Sequence, residues 1–90
     1  MRFRCDPAKS EKLKKSRGRS FDEVKEIFYG LHYEDQRNDD PEQWRAIGWS
    51  QGLLYSVIYE EREDDEGPYY HLVTLWKATQ EEIKIYEQHK

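Results

Sequence analysis

Residues 71–86 read HLVTLWKATQEEIKIY, and how this stretch divides decides the fold. A run of strand formers ends at Trp76. Three residues later Thr79 and Glu82 spell a capping box, in which a hydroxyl and a carboxylate three positions apart satisfy each other's free backbone donors. The stretch therefore predicts a last long strand over Pro68–Trp76 that hands over to a terminal helix at about 80–88, with Ile83 and Tyr86 facing inward.

Upstream, LLYSVIY at 53–59 is the most apolar run of the chain. It predicts a strand over Leu53–Glu60, joined to another over Trp44–Ser50 by a hairpin turn at Gln51-Gly52. EREDDEG at 61–67 and QRNDDPE at 36–42 carry turn residues without apolar content and read as solvated loops. A further strand begins over Leu31–Asp35. Ser20 and Glu23 form a second capping box, opening a helix at about 20–29 whose Phe21, Val24, Ile27 and Phe28 recur at the spacing of one apolar face. Asp6-Pro7 gives an N-cap followed by proline at the first helical position, so another helix is predicted over Pro7–Lys15, with Gly18 as its stop. Arg2–Arg4 reads as a short edge strand with Phe3 inward.

The predicted order is β-α-α-β-β-β-β-α. Without βαβ alternation there is no reason for a doubly wound parallel sheet. The expected class is α+β: an antiparallel sheet of about four main strands plus a short N-terminal strand, two N-terminal helices on one face and a short C-terminal helix. Phe21, Val24, Ile27, Phe28, Leu54, Val57, Leu72 and Val73 are the expected core.

Ninety residues suit one domain with one small core. Only 36% of residues are hydrophobic, but the 14% that are aromatic supply large burying groups. A single cysteine, Cys5, excludes an internal disulfide. No apolar run approaches the roughly 20 residues of a membrane-spanning helix, and MRFRCDPAKS lacks a signal-peptide centre, so a cytoplasmic protein is expected. The net charge of −4 conceals a bipolar chain: residues 1–19 hold eight Lys/Arg against Asp6 and Glu11, whereas the remainder is strongly acidic. An acidic total argues against non-specific coating of nucleic acid, where released counterions drive binding.

His32, His71 and His89 are far apart, with one lone Cys, and show no metal-ligand spacing. No cofactor motif appears, and none is expected. Metal-free RNA cleavage needs a base for the 2′-OH, a cation for the phosphorane charge and an acid for the leaving oxygen. Arg45, His71, Lys77, Glu81, Glu82 and Tyr86 supply those types near strand ends and the last helix. Each has a plainer role open to it: Glu82 as capping partner of Thr79, Lys77 as a solvated charge, His71 as a hydrogen-bonded sheet residue, Trp76 as packing rather than a base-stacking platform. The dense basic patch, with Lys12, Lys14 and Lys15, fits either a solvated helix or a surface for RNA or an acidic partner.

These segments resemble, nearly end to end, the BrnT toxins of bacterial type II toxin–antitoxin pairs, small ribonucleases with a RelE-like fold. The resemblance rests on Phe3-x-x-Asp6-x-x-Lys9, Ser20-Phe21-Asp22-Glu23-Val24, Arg45-x-Ile47-Gly48-x-Ser50, Leu54-x-x-Val57-x-Tyr59 and Lys77-Ala78-Thr79-x-x-Glu82-x-x-x-Tyr86. It implies a toxin-like endoribonuclease that cleaves RNA without metal and is neutralised by a small antitoxin. Arg45, His71, Lys77 and Glu82 would be the catalytic groups, and Lys12, Lys14, Lys15 and Trp76 the RNA-binding ones. The family's last strand commonly reads RIISAR, where this chain has His71 to Trp76; a further basic position is Ile83 and an early Trp is Cys5. Two arginines are thus absent, and neither Trp nor neutral His can replace an arginine fork on phosphate. The departure keeps a second expectation open, a non-catalytic protein-interaction module on the same fold.

Overall fold

The handover at Thr79 forms as its sequence predicts. In the computed structural model, which describes all 90 residues, the Thr79 hydroxyl accepts from the Glu82 N–H at 3.2 Å and the Glu82 carboxylate accepts from the Thr79 N–H at 2.9 Å. The chain runs β1 (Arg2–Arg4), α1 (Pro7–Arg17), α2 (Phe21–Val24, continued as a 3₁₀-helix over Lys25–Tyr29), β2 (His32–Asp39), β3 (Glu42–Ser50), β4 (Leu53–Asp64), β5 (Gly67–Lys77) and α3 (Gln80–His89). This is a mixed α+β fold around one five-stranded sheet of order β1-β5-β4-β3-β2. The pairs from β2 to β5 are antiparallel, and β1 joins β5 in parallel. No helix is long and apolar enough to cross a membrane.

Both stretches read as loops are largely strand. β2 continues to Asp39 and β4 to Asp64, leaving Asp40-Pro41 and Asp65-Glu66 as the tips. The outer half of β2 is exposed, so it lacks the apolar alternation that marks a half-buried strand. At the end of β4 the charges are paired within the sheet: Asp64 holds Arg2 at 2.7 Å and Arg4 at 2.6 Å. The second helix also differs from expectation, with one α turn followed by 3₁₀ geometry. Its close seating against β3 shows at Gly48, where an added Cβ would lie 2.7 Å from Ile27 Cγ2.

The helices take opposite faces. α1 and α2 cover the side that carries Ala46, Tyr55, Val57, Tyr59, Leu72 and Leu75, which with Leu13, Phe21, Val24 and Ile27 form the main core. α3 packs through Tyr86 on the other side, against Ile47 and Leu54. Of the expected core residues, Phe21, Val24, Ile27, Leu54, Val57 and Leu72 are buried, while Phe28 and Val73 are only partly so. Phe28 sits at the core margin, its ring 5.1 Å from Tyr59 and 5.4 Å from Tyr70. Val73 is the extra residue of a bulge, since Ile58 pairs with Thr74 and Tyr59 with Leu72.

The capping box of α2 ties α1 to the body. Glu23 accepts from the Ser20 N–H at 2.9 Å, and Lys14 Nζ lies 2.9 Å from its carboxylate. Lys14 foremost, then the Ser20 N–H and Gln51, hold this carboxyl at about 2, below its ordinary 4.5. The folded state thus binds the proton less readily than the unfolded chain, so the contribution is complete above pH 4.5 and is lost as pH falls through about 2. Glu23→Gln should accordingly flatten the acid limb of melting temperature against pH over that window. An acid limb identical to the parent's would show that Glu23 is not the titrating group.

Candidate functional site

Strand register brings a polar cluster together under α3. Asp35 on β2 pairs with Arg45 on β3, and Ser56 on β4 with Trp76 on β5. Asp35, Arg45, Ser56 and Trp76 all point to the face away from α1 and α2. α3 then lowers Glu82 onto them from its first turn.

Arg45 Nε donates to Asp35 at 2.9 Å, its Nη2 donates to the same carboxylate, and its Nη1 reaches Glu82 at 3.3 Å. Each of the three guanidinium nitrogens is therefore engaged by a carboxylate, and the Arg45 side chain is only 15% exposed. Asp35, followed by Glu82, holds the guanidinium more firmly protonated than usual, against the opposing effect of burial.

Glu82 is the most buried charged residue, 4% exposed. Besides the Thr79 N–H, its Oε1 accepts from the Trp76 indole at 2.9 Å. Burial is the largest single influence on this carboxyl and pushes it up; the Thr79 N–H, Trp76, Ser56 and Arg45 together outweigh it, and the group stays below its ordinary value. Ser56 Oγ lies close enough to favour the anion, although it meets no partner at full hydrogen-bond geometry. Above the cluster, Arg37 from the exposed end of β2 stacks on the Trp76 ring, 5.1 Å from its centroid.

Among the residues singled out from sequence, Arg45, Glu82 and Trp76 are in mutual contact. His71 lies on the same face but farther along β5, opposite Glu60 and next to Arg4. Burial, then the nearby Arg62, lowers its proton affinity. Lys77 is exposed and pairs in register with Tyr55, a helix-side residue, so strand alternation turns it from Glu82 and Arg45. Lys12, Lys14 and Lys15 are exposed on α1, across the sheet from the cluster, and Lys14 is taken up by Glu23. Asp35, Arg37 and Ser56 were not singled out. Asp35 closes the part of β2 that reads as strand and Arg37 lies in the part that reads as a turn, and only strand register shows what they face.

The chemical capacity of this arrangement is limited. A carboxylate with four favourable partners is a poor proton acceptor, and an arginine whose charge is already met by two carboxylates has little left to offer a phosphate. Three other arginines of the face are likewise paired, Arg2 and Arg4 with Asp64 and Arg62 with Glu60 at 2.5 Å, whereas Arg37 meets the Trp76 ring and no carboxylate. No group of three or more His, Cys, Asp or Glu side chains is placed to hold a metal ion. In comparison with known proteins, no family model matches the chain and no curated protein does.

Proposed function

We propose that this chain is a BrnT-like domain on the toxin side of a type II toxin–antitoxin pair, working in the cytoplasm, which keeps partner binding while its RNA cleavage is lost or strongly reduced. The observation that carries the reading is the Arg45 guanidinium, held at each nitrogen by Asp35 or Glu82. Phosphoryl chemistry relies on donors that are free to meet charge as it develops in the transition state. The element order and the two capping boxes support the likeness to that family.

A second reading, a working metal-free endoribonuclease, draws support from the meeting of a guanidinium, a carboxylate and an indole in one cluster. In that case Arg45 would steady the phosphate, Glu82 or His71 would move protons, and Trp76 would stack a base.

The two readings separate when purified protein is incubated with total RNA, with and without a divalent-metal chelator. The parent chain is expected to leave the RNA intact. Asp35→Asn combined with Trp76→Arg, which frees one side of the fork and adds a second guanidinium, is expected to give measurable cleavage. Metal-independent cleavage by the parent that Arg45→Lys abolishes would overturn the first reading in favour of the second.

A further inference from the structure

The other face of β2 carries a feature that the Arg45 cluster does not use. His32 and Glu34 point to the helix side of the sheet, where the 3₁₀-helix ends and the sheet runs on uncovered. There Phe28, Tyr29, His32, Glu34, Tyr70 and Met1 line a cavity of about 210 Å³. Its walls are largely π faces and edges: Phe28 lies 5.8 Å from His32 and 5.4 Å from Tyr70. Its one carboxylate, Glu34, takes His32 Nε2 at 2.8 Å and is still 41% exposed. Tyr29 is 69% exposed, far more than packing requires of a large aromatic ring. Aromatic walls around a carboxylate attract a cation, because the ring quadrupoles and the charge act in the same direction.

The cavity adjoins an open edge. β2 ends the sheet, so the backbone groups along its outer side meet no strand. The bulge between Gln36 and Asn38 leaves His32–Gln36 as the regular part of that edge. Glu34, Asp39, Asp40 and Glu42 are exposed along and beyond it, and Arg37 is turned to the other face by its stacking on Trp76. A second copy of β2 would set its own Glu34 and Asp35 against these carboxylates, which disfavours self-pairing. A basic strand would meet complementary charge.

We propose that the edge of β2 binds an extended basic segment of a partner protein, which adds a strand beside His32–Gln36 and places a lysine or arginine side chain in the cavity formed by Phe28, Tyr29, His32, Glu34 and Tyr70. Backbone pairing supplies the attachment, and the cavity supplies the choice of side chain. The inference builds on the partner-binding reading above and names the chemistry of that partner.

The test uses the intact chain and a short peptide alternating valine and lysine, blocked at both ends, with the glutamate version as control. Binding is read from backbone amide and aromatic-ring resonances. The lysine peptide should shift the amides of His32–Gln36 and the rings of Phe28 and Tyr70, and the glutamate peptide should not. Glu34→Gln should weaken binding about tenfold. Glu63→Gln makes the same change in net charge at an exposed position on β4 and should weaken it less than about twofold. Tyr29→Ala, at an exposed position where folding is not in question, should also weaken it severalfold. Equal losses for Glu34→Gln and Glu63→Gln, absence of binding, or shifts confined to the α3 side would overturn the proposal. So would equal binding of tetramethylammonium ion, which would make the cavity a site for a free organic cation. RNA cleavage by the parent chain would refute the reading above and leave the peptide result standing, so the two failures are distinguishable.

Discussion

Glu82→Ala should lower the stability of the fold by about 3–5 kcal/mol, the range for breaking a buried ion pair by removing one partner. The truncation leaves the Thr79 N–H and the Trp76 indole without their acceptor and Arg45 without one of its two carboxylates. Because Glu82 is nearly inaccessible, water cannot easily replace what is lost. Urea denaturation should show the midpoint falling with an unchanged slope. Glu82→Gln keeps an oxygen for both N–H donors and gives up only the charge facing Arg45, so it should cost about 1–2 kcal/mol. The pH dependence has a definite sign. With the carboxyl held below its ordinary value in the fold, its contribution is complete above the ordinary carboxylate value and is lost as pH falls through the folded one. A loss under about 1 kcal/mol for Glu82→Ala would mean that the cluster is solvated and that Arg45 is freer than its contacts indicate.

Phe21→Ala should cost a similar amount, about 3–5 kcal/mol, through a different mechanism. Phe21 is the first residue of α2, is fully buried, and belongs to the cluster that joins Leu13 of α1 to Tyr55, Val57, Leu72 and Leu75 of the sheet. Removing the ring leaves a cavity between two helices and a sheet, where neighbours can collapse only partly. A domain of this size has about 5–15 kcal/mol in total, so the variant should be close to unfolding at ordinary temperature, which amide dispersion in an NMR spectrum would reveal. Phe21→Leu, closer in volume, should keep the fold and cost less than about 1.5 kcal/mol. A fully dispersed, heat-stable Phe21→Ala protein would mean that the α2 side of the core is not what holds the sheet.

Much of this architecture is legible in the residues because its signals are local. The capping boxes at Ser20/Glu23 and Thr79/Glu82 each span four residues and need no knowledge of what lies across the sheet. The face that α3 takes is a different kind of information, yet one signal for it was present. LLYSVIY does not alternate, and Leu54 to Tyr59 are all buried, as in a strand covered on both faces. The partners of Arg45 were hidden because Asp35 meets it through the register of β2 against β3 and Glu82 through the seating of α3, and neither is local in the sequence. Arg45 looked like a charge available for a phosphate, whereas its surroundings make it a structural cation. The bulge at Val73 changes which side chains face the core and leaves no mark in the local sequence.

Strand β1 bears on how the chain is made. Arg2 lies beside Tyr69, so β1 finds its place only once β5, four strands later, has been made. Contacts of such long range are slow to form, and an unpaired strand edge invites other chains during the delay. Here the timing favours the protein. β1 precedes β5 in the chain, so the short strand is already made when β5 appears and can cover that edge at once. Beyond β1, Arg17 closes the same edge by donating to the Leu75 carbonyl at 2.7 Å. The part of the sheet completed last therefore meets its cover ready-made, with no further synthesis required to protect it.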